Sequence, residues 1–196
     1  MKTPIAHKPQ AWAVLAGAHH GAVQVGRWGR IKSVRVPHGD WEINLDSYVV
    51  STGKTSSSFT RLRVPIRTRT DFRMRIYREN VFTRMAKWFG MSDVPVPDPE
   101  IDRQFIVQTS VPSFVNTLVL DRAFARALLT LPTGRLEVAP VRKRGRRVPE
   151  TVELRWITHG ILNDTEKLEN ALTLVRATLD GLIRAGIARE MAVEGG

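Results

Sequence analysis

The chain has 196 residues, 42% hydrophobic and 25% charged, with 14 Gly and 11 Pro, a balance of globular rather than disordered or fibrous proteins. It has no Cys, which excludes disulfides, thiolate zinc sites, iron–sulfur ligation and cysteine nucleophiles, and no apolar run long enough for a membrane-spanning helix. Thirty Lys and Arg against nineteen Asp and Glu give a formal charge of +11, which favours solubility and attraction to polyanions and is neutral about fold.

Lys2 and Lys8 before the apolar stretch 11–18 imitate an export signal, but the stretch is short and Pro4 and Pro9 interrupt its approach. The expectation is a cytoplasmic protein. Its first element reads as an amphipathic helix starting at Pro9, with Trp12, Leu15 and Ala18 on one face and Gly21 closing it.

From there the period becomes alternating. Residues 23–28 and 31–36 read as short strands. Trp41, Ile43, Leu45 and Val49 fall at odd positions against Glu42, Asn44 and Asp46 at even ones, the pattern of a strand with one buried face. After the polar segment 51–58 the parity reverses. Leu62, Val64, Ile66, Phe72, Met74 and Ile76 are even, whereas Arg61, Arg63, Arg67, Arg69, Arg73 and Arg75 are odd. This predicts a hairpin with an arginine face, turning at Arg69-Thr70-Asp71, with Arg67 opposite Arg73 and Ile66 opposite Met74. Pro65 donates no ladder bond and belongs at an edge or bulge.

Asn80 is placed to cap a helix running to Phe89, stopped by Gly90. Residues 91–100 carry Pro95, Pro97 and Pro99 and read as a stiff connector. The organisation is therefore 1–90, the connector 91–100 and 101–196, or one continuous domain. The second part holds a strand at 105–109, helices at 113–120 and from the cap Asp121 to Pro132, and strands at 135–141 and 151–158. Last comes a long helix capped by Asn163 or Asp164, with Leu168, Leu172, Val175, Leu179, Leu182 and Ile183 along one stripe. Strands mostly follow one another without helical crossovers. The fold class is α+β, a largely antiparallel sheet with helices packed on one side and a long C-terminal helix.

The charge excess is uneven: residues 1–79 hold 14 basic and 5 acidic side chains, and residues 151–196 hold 5 and 7. Side chains two apart on a strand stand ~7 Å from each other, where like charges in water repel by about 0.6 kcal/mol. Some compensation is therefore expected, and pairing of the strand at 41–50 with that at 59–66 would set Asp46 facing Arg63 and Glu42 facing Arg67. Arg61, Arg69, Arg73 and Arg75 then keep no local acid, as a phosphate-binding surface requires. The basic segment Arg142, Lys143, Arg144, Arg146 and Arg147 around Gly145 reads as a hairpin tip and a second phosphate-contacting arm.

Among aromatic residues, Trp28 and Tyr48 have a claim to exposure, whereas Trp41, Trp88 and Trp156 fall in phase with the core. No ribonucleoprotein motif, zinc finger or helix-turn-helix is present. Gly53-Lys54-Thr55 lacks the first glycine of a phosphate-binding loop, and His19, His20, His38 and His159 show no metal spacing. Asp98, Glu100 and Asp102 form an acidic cluster that reads as linker acids, with a metal site or acid–base chemistry as the alternative. No catalytic residue, metal or cofactor is implied.

Thr60-Arg61-Leu62-Arg63, Asp71-Phe72-Arg73-Met74-Arg75-Ile76-Tyr77-Arg78 and Asp102-Arg103-Gln104-Phe105-Ile106-Val107, followed by Leu118 and Ala127-Leu128-Leu129, resemble a group of uncharacterised bacterial proteins over residues 10–185. That resemblance implies a single bacterial globular unit and carries over no catalytic residue. The expected function is a non-enzymatic, basic protein whose sheet face binds a polyanion, nucleic acid first, without sequence specificity. The alternative is a ligand- or partner-binding scaffold, or a homo-oligomer, whose arginines only keep a surface solvated.

Overall fold

The computed structural model describes residues 10–68, 71–78, 92–143 and 146–189. In chain order they form α1 (Gln10–Ala18), β1 (Ala22–Val25), β2 (Ile31–His38), β3 (Trp41–Ser51), β4 (Ser56–Thr68), β5 (Met74–Arg78) and β6 (Ser92–Asp93). There follow α2 (Pro99–Gln104), β7 (Phe105–Thr109), α3 (Pro112–Val119), α4 (Arg122–Thr130), β8 (Arg135–Lys143), β9 (Arg146–His159), α5 (Thr165–Arg184) and β10 (Ala188–Arg189). The class is α+β, as the alternation and the closing helical stripe predict.

The strands form one antiparallel sheet in the order β1-β2-β3-β4-β9-β8-β5-β7-β6, with β10 beside β4. Because side chains alternate between faces, directly paired residues share a face, and one row of pairs crosses seven strands: Val34, Leu45, Leu62, Trp156, Leu136, Ile76 and Val107. All seven are buried. This row faces the helices, and α5 lies over it with Leu168, Leu172, Val175, Leu179 and Leu182 buried.

Local chemistry sets the helix positions. Asp164 caps α5 by accepting from the Lys167 amide at 3.1 Å, and Asp121 caps α4 through the amides of Ala123 and Phe124. Gly181 lets α5 approach α3, since a Cβ there would stand 3.2 Å from a Leu118 methyl. α1 buries Trp12, whose indole Nε1 donates to the Leu162 carbonyl at 2.9 Å, and His19 and His38 are hydrogen-bonded to Glu169 and Asp180 of α5, each at 2.7 Å.

Several expectations are corrected. β4 and β5 do not form a hairpin: β9 and β8 lie between them, because the even, apolar faces of both strands find longer partners in the C-terminal half. Arg67 is therefore paired with Thr151, not Arg73, and Met74 with Val138 and Thr109, not Ile66. The β3–β4 register also differs by two residues. Its turn is tightened by a Thr52–Thr55 hydroxyl bond at 2.8 Å and a backbone bond at 2.9 Å, so Asp46 faces Arg61 and Asn44 faces Arg63. Glu42 lies by Arg35 at 3.8 Å rather than by Arg67. Pro65 does sit where an edge is needed, past the last β3–β4 pair at Arg63 and before β10 meets Arg67.

Within 91–100 the chain adds β6 and enters α2, which Asp98 caps through the amides of Glu100 and Ile101. The sheet runs unbroken from residues before this segment to residues after it, because β4 pairs with β9. The helix expected over 80–89 lies outside the described residues. Ala18 is exposed rather than on the buried face of α1.

Candidate functional site: the open sheet face and its basic ends

The face of the sheet away from the core row carries the charge. One row of paired positions reads Arg35, Asn44, Arg63, Arg155, Glu137, Arg75, Gln108 and Asp93, and the neighbouring row reads Ser33, Asp46, Arg61, Ile157, Arg135 and Tyr77. Arg61, Arg63 and Arg75 thus share one face although their strands are not neighbours. They are not bare.

Arg61 grips Asp46 with two hydrogen bonds, Nε at 2.9 Å and Nη2 at 3.0 Å, and stacks over the Tyr48 ring at 5.0 Å. Burial alone would lower the Arg61 pKa; the hydrogen bond and charge of Asp46, with Glu153 and Tyr48, outweigh it and hold the guanidinium above its usual value. Arg63 donates to the second Asp46 oxygen at 2.9 Å and to Glu153 at 3.4 Å.

At the centre stands Glu137, 0% exposed. It receives Arg75 at 3.2 Å, Arg135 at 3.0 Å and Arg155 at 2.5 Å. Arg75 is itself 3% exposed, and burial pulls its pKa below the ordinary arginine value despite the attraction of Glu137. Five guanidiniums, of Arg61, Arg63, Arg75, Arg135 and Arg155, meet three carboxylates, of Asp46, Glu137 and Glu153, in one lattice. Its cations and anions are within direct contact distance, so its outward field is far smaller than the arginine count suggests.

The remaining sequence candidates are scattered. Arg73 precedes β5 and pairs with Asp71 at 2.7 Å. Arg69 and Arg144 lie outside the described residues. Arg142, Lys143, Arg146 and Arg147 continue β8 and β9 as paired strand positions at the end of a hairpin, Arg142 opposite Arg147 and Lys143 opposite Arg146. This hairpin leaves the end of the sheet at which Arg67 pairs with Thr151.

Glu137, Arg135, Arg155 and Glu153 were absent from the sequence candidates. Their signal was present as strict alternation with Leu136, Val138, Leu154 and Trp156, but nothing local told that β8 and β9 insert between β4 and β5. Asp98 and Asp102 have structural partners, the α2 amides and the Val96 amide at 3.0 Å. Among the described residues no group of three His, Asp or Glu is placed to hold a metal ion. Two open clefts, of about 380 and 260 Å³, flank Trp41 and Asp40 at the β2–β3 turn, one bounded by Asp180 and Ile183 of α5, the other by Arg63 and Pro65.

No protein-family model and no curated protein matches the sequence. The structure is similar to the crystal structure of the mycobacterial trehalose monomycolate transport factor A, with a TM-score of 0.54 and 10% sequence identity over 93% of this chain and 97% of that one. The fold is shared with a transport factor. At that identity the likeness concerns the fold alone. Among the described residues no helix is long and apolar enough to cross a membrane.

Proposed function

We propose that this protein is a partner-binding scaffold, in which the sheet-face arginines serve the fold rather than a polyanion. The observation that carries the reading is the clasp of Glu137 by Arg75, Arg135 and Arg155, continued by Asp46 and Glu153 on Arg61 and Arg63. A phosphate chain would have to displace carboxylates already bonded to these guanidiniums, exchanging one anion for another at no electrostatic gain.

A second reading keeps a polyanion but moves it to the β8–β9 arms. There Arg142 pairs with Arg147 and Lys143 with Arg146 along the backbone ladder, so the sequence gathers four cations at one end of the sheet.

Titrating the protein with single-stranded DNA, duplex DNA and RNA over a range of salt separates the readings. The scaffold reading expects no salt-dependent binding that Arg61→Ala or Arg73→Ala alters. A log–log salt slope that shrinks by about one unit with each of those two substitutions overturns it. A slope that shrinks only on Arg142→Ala with Arg147→Ala selects the hairpin arms.

A further inference from the structure

At the end of the sheet opposite the β8–β9 arms, β1 turns into β2 through residues 26–30, closed by a hydrogen bond from the Gly26 amide to the Arg30 carbonyl at 2.7 Å. Trp28, at the tip, has φ 63° and ψ 30°, a left-handed conformation that bulky side chains avoid, and it is 92% exposed. The closed turn thus holds in a disfavoured backbone state a Trp, a residue whose ring gains much from burial. An observed outlier of this kind, on an exposed apolar side chain, points to a use for the ring outside the fold.

The surroundings define what that use is. Arg27 and Arg30 flank Trp28, and Lys32 follows. The β2–β3 ladder, in which Ser33 pairs with Asp46, extends so that Ile31 is level with Tyr48, which brings the β3–β4 turn with Lys54 to the same end. Val25, Val49 and Val50 are exposed there, at 57%, 64% and 44%. β9 finishes at this end too, His159 opposite Phe59, with Ile161 exposed just beyond. No Asp or Glu occurs in residues 22–39, 47–60 or 155–163.

Exposed aliphatic groups and a Trp interspersed with Arg and Lys, without a carboxylate, suit one kind of surface above others. A protein–protein interface would use Trp28 and the arginines but is depleted in Lys, which stands here at Lys32 and Lys54 among the apolar groups. A nucleic acid would use the cations and one ring, but branched aliphatic side chains offer nothing to phosphates or base faces. The interfacial zone of an anionic bilayer uses every component: Trp lodges at the headgroup level, aliphatic groups reach the acyl boundary, and Arg and Lys meet anionic headgroups.

We propose that this end of the sheet docks on an anionic lipid bilayer, with Trp28 entering the interface and Arg27, Arg30, Lys32 and Lys54 holding the headgroups. Attachment through this end of the sheet alone is peripheral and reversible. It stands apart from the scaffold reading, whose test uses other residues.

Sedimentation of the full-length protein with vesicles of mixed phosphatidylglycerol and phosphatidylcholine, at low and raised salt, tests it. The protein is expected to pellet with these vesicles and not with phosphatidylcholine alone, less so as salt rises. Trp28→Gly removes the ring while suiting the left-handed backbone, and is expected to weaken vesicle binding about tenfold with undiminished thermal stability. Arg27→Glu with Arg30→Glu is expected to weaken it by more than tenfold. Absence of pelleting with anionic vesicles, equal pelleting with neutral ones, or binding retained by both variants overturns the proposal. So does single-stranded DNA binding that Trp28→Gly abolishes in a protein that ignores vesicles.

Discussion

Arg75 of β5 donates to Glu137 of β8 at 3.2 Å with both side chains buried, although 62 residues separate them in the chain. The pair lies in the middle of the open sheet face, where Arg135 and Arg155 close on the same carboxylate. A charge removed from water to this degree is tolerable only while its partners stay.

Replacing Glu137 by Gln or Ala leaves three guanidiniums facing one another without their shared anion. The expected loss of stability is about 3–5 kcal/mol, typical for breaking a buried ion pair by removing one side. Chemical denaturation of wild type and Glu137→Gln measures it, and a loss below about 1 kcal/mol would show that water already replaces the carboxylate.

Asp46 quenches two arginines at once, so Asp46→Asn should convert the sheet face toward the polyanion surface that the arginine pattern suggests. Arg61 and Arg63 then lose their shared anion. Single-stranded DNA binding is expected to appear or strengthen in the variant, with a salt slope more negative by about one to two units. An unchanged slope would mean that the carboxylate is not what silences this face.

Gly134 leads into β8 at φ 120°, and a Cβ on it would lie 2.6 Å from the Trp156 indole nitrogen. Gly134→Ala therefore meets both backbone strain and overpacking against a buried ring, at an expected cost of about 2 kcal/mol. Gly17, with nothing within 4 Å of an added Cβ and an ordinary helical position, is the control: Gly17→Ala should be neutral or stabilising. Thermal melts of the two variants decide it.

The cap of α5 gives a pH dependence of known sign. The Lys167 amide and side chain hold the Asp164 carboxyl below its usual 3.8. A folded-state pKa below the unfolded one means that the stabilisation is complete above about pH 4 and drains away as pH falls through the folded value. Asp164→Asn keeps an oxygen for the Lys167 amide and removes the titration, so its acid unfolding profile should lack this contribution. Wild type and variant falling in parallel below pH 4 would place the acid sensitivity elsewhere.

Local elements were legible because their causes are local. Alternation of Trp41, Ile43 and Leu45 with Glu42, Asn44 and Asp46 placed β3, the caps Asp121 and Asp164 placed α4 and α5, and the stripe from Leu168 to Leu182 gave α5 its buried face. Parity even put Arg61, Arg63 and Arg75 on one face, since the period of two holds whichever strands are neighbours. Exposure of Trp28 was readable from a ring outside any apolar phase, though its left-handed backbone was not.

What tertiary structure alone decided is which strand lies beside which. A ladder bond between β4 and β9 is chemically the same as one between β4 and β5, so strand order depends on the summed burial of Leu62, Val64 and Ile66 against Val152, Leu154 and Trp156 rather than on any motif. That choice brings Glu137 between Arg75 and Arg155, and with it turns a row of arginines into a lattice in which each guanidinium meets a carboxylate. Charge composition is a property of the chain; whether a charge is spent depends on a neighbour that only folding supplies.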